Sequence, residues 1–347
     1  MSTRQDPTFD LASTNQAQRR RLLAAGLGML GAGWLPGLAR AQPASWPTAK
    51  PIKIVAAQAP GSSNDATARA LAEYMTTRLG TPVVVENRPG GIGMIAADVV
   101  ARAAPDGYTL LITLHSQLAQ APVMLKKVPL DTTKDLTPIA AFSTGTSPMV
   151  VKKDLPVKNL KELIALAKTR PVSVGNYGIG SGWQMMVTQL AKQTGAKFDL
   201  INYKGTGPMV FDLMAGNIDV GAGSLAGLGA GIKSGAFKPV VIISGDRSER
   251  LLPGVPTWGD EGFTGPAFEN LKESNMVLGP ANMPPEIVAR LAEVARESAE
   301  QSAAMKSVLS QLGVESPPWT GVELTKFIAR TWPTYQAMTK ELGISGE

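Results

Sequence analysis

Two hydrophobic periods alternate along this chain. Ile52–Ala57 is an almost unbroken apolar run, the pattern of a strand covered on both faces. It leads into the loop Pro60-Gly61-Ser62-Ser63-Asn64, after which Ala68, Leu71, Ala72 and Met75 recur three and four residues apart. That spacing predicts a helix over about 65–79, stopped by Gly80 as its C-cap. A strand at Val83–Val85 follows, then the turn Asn87-Arg88-Pro89-Gly90, a helix of small residues and a strand at Thr109–Thr113. The same order returns with different residues. A strand at Val172–Val174 precedes the loop Gly178-Ile179-Gly180-Ser181-Gly182 and a helix over about 183–194 that ends at Gly195. A strand over 197–201, the turn Asn202-Tyr203-Lys204-Gly205, a helix around Met209–Ala215 and a strand over 218–220 complete the repeat.

This alternation predicts an α/β fold of two lobes with parallel sheets and right-handed crossovers. In such sheets ligands bind beyond the carboxyl ends of the strands, and both Gly/Ser loops fall there. Helix N-termini offer unpaired N–H groups and partial positive charge, so the two loops are candidate seats for an anion. Ser62, Ser63 and Asn64 also suit helix capping, and Asp65 in the first turn suits the helix dipole. Arg88 and Lys204 stand in matching turns, where solvated surface charge is the simpler reading. Neither Gly178–Gly182 nor Gly90–Gly93 has dinucleotide-fingerprint spacing; the latter suits close helix packing. Met185-Met186 reads as core filler.

Towards the C-terminus, Val240–Ser244 and Met276–Leu278 read as strands near a crossing between lobes. Pro280–Pro285 breaks the chain before an amphipathic helix carrying Ile287, Leu291 and Val294 on one face. Thr320 and Glu323 have capping-box spacing for a last helix, which Pro333 should kink or interrupt. The expected organisation is one lobe from 44–146 with 271–347 and a second from 147–270, joined by a hinge of more than one crossing.

The N-terminus has its own grammar. Arg19-Arg20-Arg21 precede an apolar, Gly-rich run from Leu22 to Leu38 and then Ala39-Arg40-Ala41. This is the pattern of a cleaved export signal over 1–41, with arginines that suit the twin-arginine route. The run is too short and too rich in Gly for a membrane span. Export changes the charge. Of 34 Lys and Arg, five lie within 1–41, and of 28 Asp and Glu, two, so a net +6 falls to +3 with 29 basic and 26 acidic residues. Mixed charge of that size does not suggest nucleic acid.

Composition then removes chemistry. With no Cys and a single His, thiol nucleophiles, thiolate metal sites and His-rich zinc sites are excluded. His115-Ser116 has no G-x-S-x-G elbow, and an activated nucleophile also needs an orienting acid, so a hydrogen-bonding role in the cleft, made pH-dependent by His115, is the better expectation.

The run Glu86-Asn87-Arg88-Pro89-Gly90-Gly91-Ile92-Gly93, followed by Pro105-Asp106-Gly107-Tyr108-Thr109-Leu110-Leu111, resembles the substrate-binding proteins of tripartite tricarboxylate transporters, the Bug family. Pro60-Gly61 with Asp65 and Arg69, Tyr203-Lys204-Gly205, Asp212-Leu213, Arg247-Ser248 and Val255-Pro256-Thr257 extend the resemblance over about residues 50–345. It implies a type II periplasmic binding protein, two α/β lobes on a hinge, closing over a small organic acid held largely by loop backbone groups. It also implies delivery to membrane transporter subunits. Carried over by motif, the first-lobe contacts are Gly61, Ser62, Ser63 and Asp65, and the second-lobe contacts run from Ser181 through Gly182 and Trp183 to Gln184. Asn64, His115, Ser116 and Tyr203 join them as candidates from their loops. This chain departs from the family at Ala57-Gln58-Ala59-Pro60-Gly61-Ser62, Ser181–Gln184, Ala121-Pro122, Gly223 and Ser274. Trp183 either adds stacking surface to the cleft or packs beneath its helix.

The expected protein is therefore a monomeric periplasmic receptor for a small carboxylate, without cofactor, metal or catalysis. The alternatives are a ligand-sensing partner of a membrane sensor kinase and an exported enzyme.

Overall fold

The computed structural model describes residues 46–244, 248–269, 271–314 and 316–346; the export signal expected over 1–41 lies outside them. In chain order the strands are β1 (Ile52–Ala56), β2 (Val83–Asn87), β3 (Thr109–Leu114), β4 (Leu136–Ser143), β5 (Ser147–Lys152), β6 (Val172–Asn176), β7 (Phe198–Asn202), β8 (Val220–Ala222), β9 (Phe237–Ser244), β10 (Ser274–Pro280) and β11 (Trp319–Thr320). The helices are α1 (Ser63–Leu79), α2 (Met94–Ala101), α3 (His115–Met124), α4 (Leu160–Thr169), α5 (Gly182–Thr194), α6 (Thr206–Ala215), α7 (Leu225–Lys233), α8 (Pro266–Glu269), α9 (Pro285–Gln301), α10 (Ala303–Leu312) and α11 (Gly321–Glu341).

Alternation of side chains decides how each sheet is covered. Ile52, Ile54 and Ile112 join Leu71, Met75 and Val294 in one core. Val55 and Leu111, one residue out of phase, join Ala96, Val100 and Leu118 in another. Covering both faces of β1 in this way explains the unbroken apolar run. Helices α1 and α5 end as their glycines require: Gly80 (φ 66°) and Gly195 (φ 71°) take the left-handed conformation and close the last turn. Met185 and Met186 lie fully inside the second core, as the pattern suggests.

The strands form two sheets, ordered β11-β4-β10-β3-β1-β2 and β7-β6-β8-β5-β9. Both are mixed, which corrects the expectation of parallel sheets. The repeat units do pair in parallel, β1 with β2 and β3, and β6 with β7 and β8. The additional strands run the other way: β10 lies antiparallel between β3 and β4, and β5 between β8 and β9. Each is the strand by which the chain enters a sheet on crossing from the other.

Between β4 and β5 only Thr144-Gly145-Thr146 cross from the first sheet to the second, and the chain comes back into β10. The two crossings are bonded side by side, with the Thr144 N–H and hydroxyl both donating to the Glu273 carbonyl at 3.1 Å. Thr146 N–H donates to the Leu312 carbonyl at 2.8 Å, so α10 is tied to the same hinge.

Two expectations near the C-terminus are corrected. Thr320 is the N-cap of α11 but its side chain makes no capping bond, and Glu323 pairs with Lys326 at 3.0 Å instead. Pro333 does not interrupt α11. It lies on the exposed face, as does Ala329, whose carbonyl would have taken the missing N–H, so solvent can serve that group.

Gly145 has φ 65°, and a Cβ there would stand 2.0 Å from the Leu312 carbonyl oxygen. Gly145→Ala should therefore destabilise the protein by about 2–4 kcal/mol, combining left-handed strain with a backbone overlap at the hinge. Urea unfolding measures this; a change within about 0.5 kcal/mol would show that the crossing is not held as described.

Candidate functional site

The first-lobe loop follows from the end of β1. Beyond Ala56 the chain turns through Gly61 (φ 83°), and Ser62 becomes the N-cap of α1, its Oγ accepting the Asp65 N–H at 3.2 Å. Asp65 braces this turn. It accepts from Gly61 N–H at 3.2 Å, Asn87 Nδ2 at 2.9 Å and the Arg69 guanidinium at 2.9 Å. Those bonds to Arg69 and Asn87 outweigh the effect of its burial and hold its pKa below the usual carboxylate range. With its carboxylate so committed, Asp65 positions the loop. Asn64 reaches 3.5 Å from Asn275, which in turn donates to Thr67 at 3.1 Å, joining α1 to β10. Ser63 is the member of this loop's N-terminal turn that lines a cavity.

The second-lobe loop is organised by Asn176 at the end of β6. Its Oδ1 accepts Ser181 Oγ–H at 2.9 Å, and its Nδ2 donates to Asn202 at 2.8 Å. Ser181 is the N-cap of α5, accepting the Gln184 N–H at 3.2 Å, while Gln184 Oε1 accepts the Gly180 N–H at 2.9 Å. Trp183 packs beneath α5, wholly buried, with its indole N–H on the Gly175 carbonyl at 2.9 Å. Of the two expectations for its ring, packing beneath the helix is the one seen, with the indole anchored to β6. The Tyr203 hydroxyl donates to Asp212.

Hydrogen bonds hold the lobes together. Ala59 N–H donates to the Lys204 carbonyl at 2.8 Å, Gln117 Nε2 to the Ile179 carbonyl at 3.1 Å, and Gln120 Nε2 to the Gly180 carbonyl at 2.7 Å. Among the described residues two cavities lie between the loops. One of about 200 Å³ is walled by Gly90–Gly93, Gln117, Gly178, Ile179 and Asn202–Lys204, so the glycine run near residue 90 is cleft wall and not merely a packing device. The other, about 10 Å³, lies among Ser63, Thr144, Ser147, Thr206, Ser224 and Glu273. Gln58 and Tyr177 belong to both walls.

Glu273 is the charged group of this interior. Its side chain reaches from the hinge to the start of α5, where Oε1 accepts the Gly182 N–H at 2.7 Å. Gly182 allows the approach, since a Cβ there would lie 2.8 Å from that same oxygen. Burial raises the Glu273 pKa from the ordinary 4.5 to about 7, partly opposed by nearby Ser116, the Gly182 N–H and Tyr335. Neither hydroxyl completes a hydrogen bond to it, and Oε2 has no partner among the described residues.

His115 starts α3, fully buried, with its ring 4.9 Å from Phe327 and 5.2 Å from Tyr335. Its Nδ1 accepts the Ser274 N–H at 3.1 Å, which puts the proton on Nε2. Burial lowers its pKa to about 3, so it does not titrate near neutrality. The expected pH-sensitive His115 is thus corrected; the group poised near neutral pH is Glu273. Ser116 is buried beside Glu273.

Sequence reasoning missed Glu273, Gln58, Tyr177 and Gln117. Gln58 and Tyr177 each stand just past a buried strand, the position that marked the neighbouring loops. Glu273, beside Lys272 at the entry to β10, has the look of a surface acid, and no local signal reveals its burial.

Residues 67–344 match the family described as tripartite tricarboxylate transporter family receptor. The protein BugT of Bordetella pertussis is 31% identical over 298 residues, 85% of this chain and 90% of that protein. The periplasmic binding protein BugD superposes with a TM-score of 0.77 at 28% identity, covering 85% of this chain and 98% of BugD. An R. palustris protein determined with adipate also gives 0.77, at 25% identity, covering 87% and 99%.

The raised Glu273 value predicts a pH dependence of stability. Since the folded-state pKa exceeds the unfolded one, the contribution is full below about pH 4.5 and is lost as pH rises through about 7. The loss amounts to about 3 kcal/mol, using 1.36 kcal/mol per unit. Glu273→Gln should therefore stabilise the unliganded protein by about that amount at about pH 8 and leave it nearly unchanged at about pH 4. His115 acts with the opposite sign on acidification but is common to both proteins, so comparing them isolates Glu273. Equal differences in urea unfolding at the two pH values would contradict the burial argument.

Proposed function

Because the chain belongs to the tripartite tricarboxylate transporter receptor family, we propose that it captures a small organic carboxylate between its lobes and delivers it to a membrane transporter of that type. Family and fold are those of solute-binding proteins, with two lobes. The observation that carries the ligand reading is the inter-lobe cleft, bounded on each side by a Ser-capped helix start. Ser63 of α1 and the turn before α5 both face its cavities. Helix starts of this kind hold carboxylates through backbone N–H groups and the aligned peptide dipoles. The adipate-bound R. palustris protein, alike over nearly its whole length, supports a ligand of this chemical class.

In this reading the lobes comprise 44–146 with 271–347, and 147–270, and the protein works in the periplasm after loss of residues 1–41. No helix among the described residues is long and apolar enough to cross a membrane. Gly61, Ser62 and Asp65 shape the first-lobe seat, Ser63 reaches into the cleft, and Ser181, Gln184 and Asn176 hold the second-lobe loop. Tyr203 and Lys204 close the wider cavity.

Native mass spectrometry of the processed protein should find one small acid per chain, and calorimetry with four- to six-carbon organic acids should give one-to-one binding. Ser63→Ala, which removes the hydroxyl that faces the cleft, should weaken that binding by about tenfold or more, the equivalent of one lost charge-assisted hydrogen bond, without lowering the melting temperature. Unchanged affinity would remove the α1 start from the site. Uptake of the bound acid by cells carrying a tripartite tricarboxylate-type membrane transporter should depend on the chain; uptake equal without it would refute delivery.

A further inference from the structure

The anion seat of the second lobe is already taken by a side chain of the protein. In the arrangement expected for a dicarboxylate, each helix start would receive one ligand carboxylate. Here the first free N–H of α5, that of Gly182, is bonded to Glu273 Oε1 at 2.7 Å. Glu273 comes from the hinge, where its backbone carbonyl holds both Thr144 donors, so its carboxyl is delivered by the frame that joins the lobes. Its other oxygen lies by the Ser116 and Tyr335 hydroxyls without a completed bond to either, although the residue is only 5% exposed and lines the smaller inter-lobe cavity. Gln58 Nε2 and Ser224 Oγ, on the same cavity wall, are buried and equally unpartnered. Among the described residues that wall includes no Lys or Arg.

An acceptor oxygen and two buried polar groups without completed bonds leave this end of the cleft open to a hydrogen-bonding partner. A second carboxylate brought there would face Glu273 with no Lys or Arg among the described wall residues to offset the repulsion, at a helix start whose first N–H is spent. An amide or an ammonium group would donate to Glu273 Oε2, and an amide oxygen could also accept from Gln58. We propose that Glu273 is a specificity-determining residue: a built-in carboxylate that makes the receptor prefer monocarboxylates whose opposite end donates a hydrogen bond over dicarboxylates of the same length. This rests on the carboxylate-binding reading above and narrows it. The ligand's single carboxylate then belongs to the α1 start or the wider cavity, where Lys204 is a wall residue.

The charge state of Glu273 modulates this preference. Around it stand His115 and Ser116 of α3, Tyr177 beyond β6, Gly182 of α5 and Tyr335 of α11. His115 stays neutral, and burial raises both tyrosines well above the ordinary phenol range, so no other group there changes charge near neutrality. Protonated, Glu273 can donate to a ligand carboxylate, and discrimination against dicarboxylates relaxes.

The test is calorimetry on the processed wild-type chain and on Glu273→Gln with three matched series: succinate, glutarate and adipate, their monoamides, and the corresponding ω-amino acids. In the wild type at about pH 8, a monoamide or amino acid should bind about tenfold or more tighter than the dicarboxylate of equal length, the scale of one unfavourable buried charge contact. Glu273→Gln should abolish or reverse that ratio. Wild-type protein alone supplies a second readout that does not depend on the variant folding: the monoamide-to-dicarboxylate ratio should fall by about fivefold between about pH 8 and about pH 6. Dicarboxylates bound at least as tightly as their monoamides by the wild type, or a ratio that neither the substitution nor pH alters, would overturn the role of Glu273 while leaving carboxylate capture intact. Binding of no carboxylate in any series would overturn the carboxylate reading, and this inference with it.

Discussion

A carboxyl group buried at the junction of two lobes governs the interior of this protein. Glu273 joins hinge to lobe twice, through its carbonyl to Thr144 and through its side chain to the first N–H of α5. A buried acid with no cation beside it among the described residues is costly, and it meets that cost by keeping its proton up to about pH 7 and by accepting from the backbone at a helix start. The surrounding residues make sense in this light. Gly182 has no Cβ to obstruct the carboxyl, and α11 supplies Tyr335 beside it. His115, kept neutral by the same burial, holds the Ser274 N–H, next in chain to Glu273.

The two Ser-capped loops look equivalent in order of elements but do different work. In the first lobe Asp65 satisfies the loop from within, accepting Gly61 N–H and the side chains of Asn87 and Arg69, so Ser63 is left facing the cavity. In the second lobe Asn176 takes the organising role, and the helix start is filled by an acid from elsewhere in the chain. A pseudo-symmetric pair of lobes thus presents an asymmetric cleft. That asymmetry is a physical basis for choosing between solutes of similar length and different ends.

Much of the fold was legible from local patterns, because burial of both faces of a strand and helix capping are dictated by residues close in sequence. Ile52–Ala56, the helices closed by Gly80 and Gly195, and Met185-Met186 in the core lie where periodicity put them. The direction of β5 and β10 was not legible, since strand polarity depends on which sheet the chain is entering. Nor was the passage of α11 through Pro333, where exposure of the freed carbonyl decides the outcome.

The candidate site divides along the same line. By itself the sequence determined the two loop-and-helix units, the Ser caps at 62 and 181, the family resemblance and the poverty of catalytic groups, because each depends on residue type and short-range spacing. Packing across the molecule, in contrast, turns Trp183 inward to Gly175, silences His115 by burial and brings Glu273 to the start of α5. Those outcomes depend on what lies across the cleft. Glu273 and Gly182 are 91 residues apart in the chain, and a carboxyl's charge state depends on the solvent and partners around it, which only the folded chain supplies.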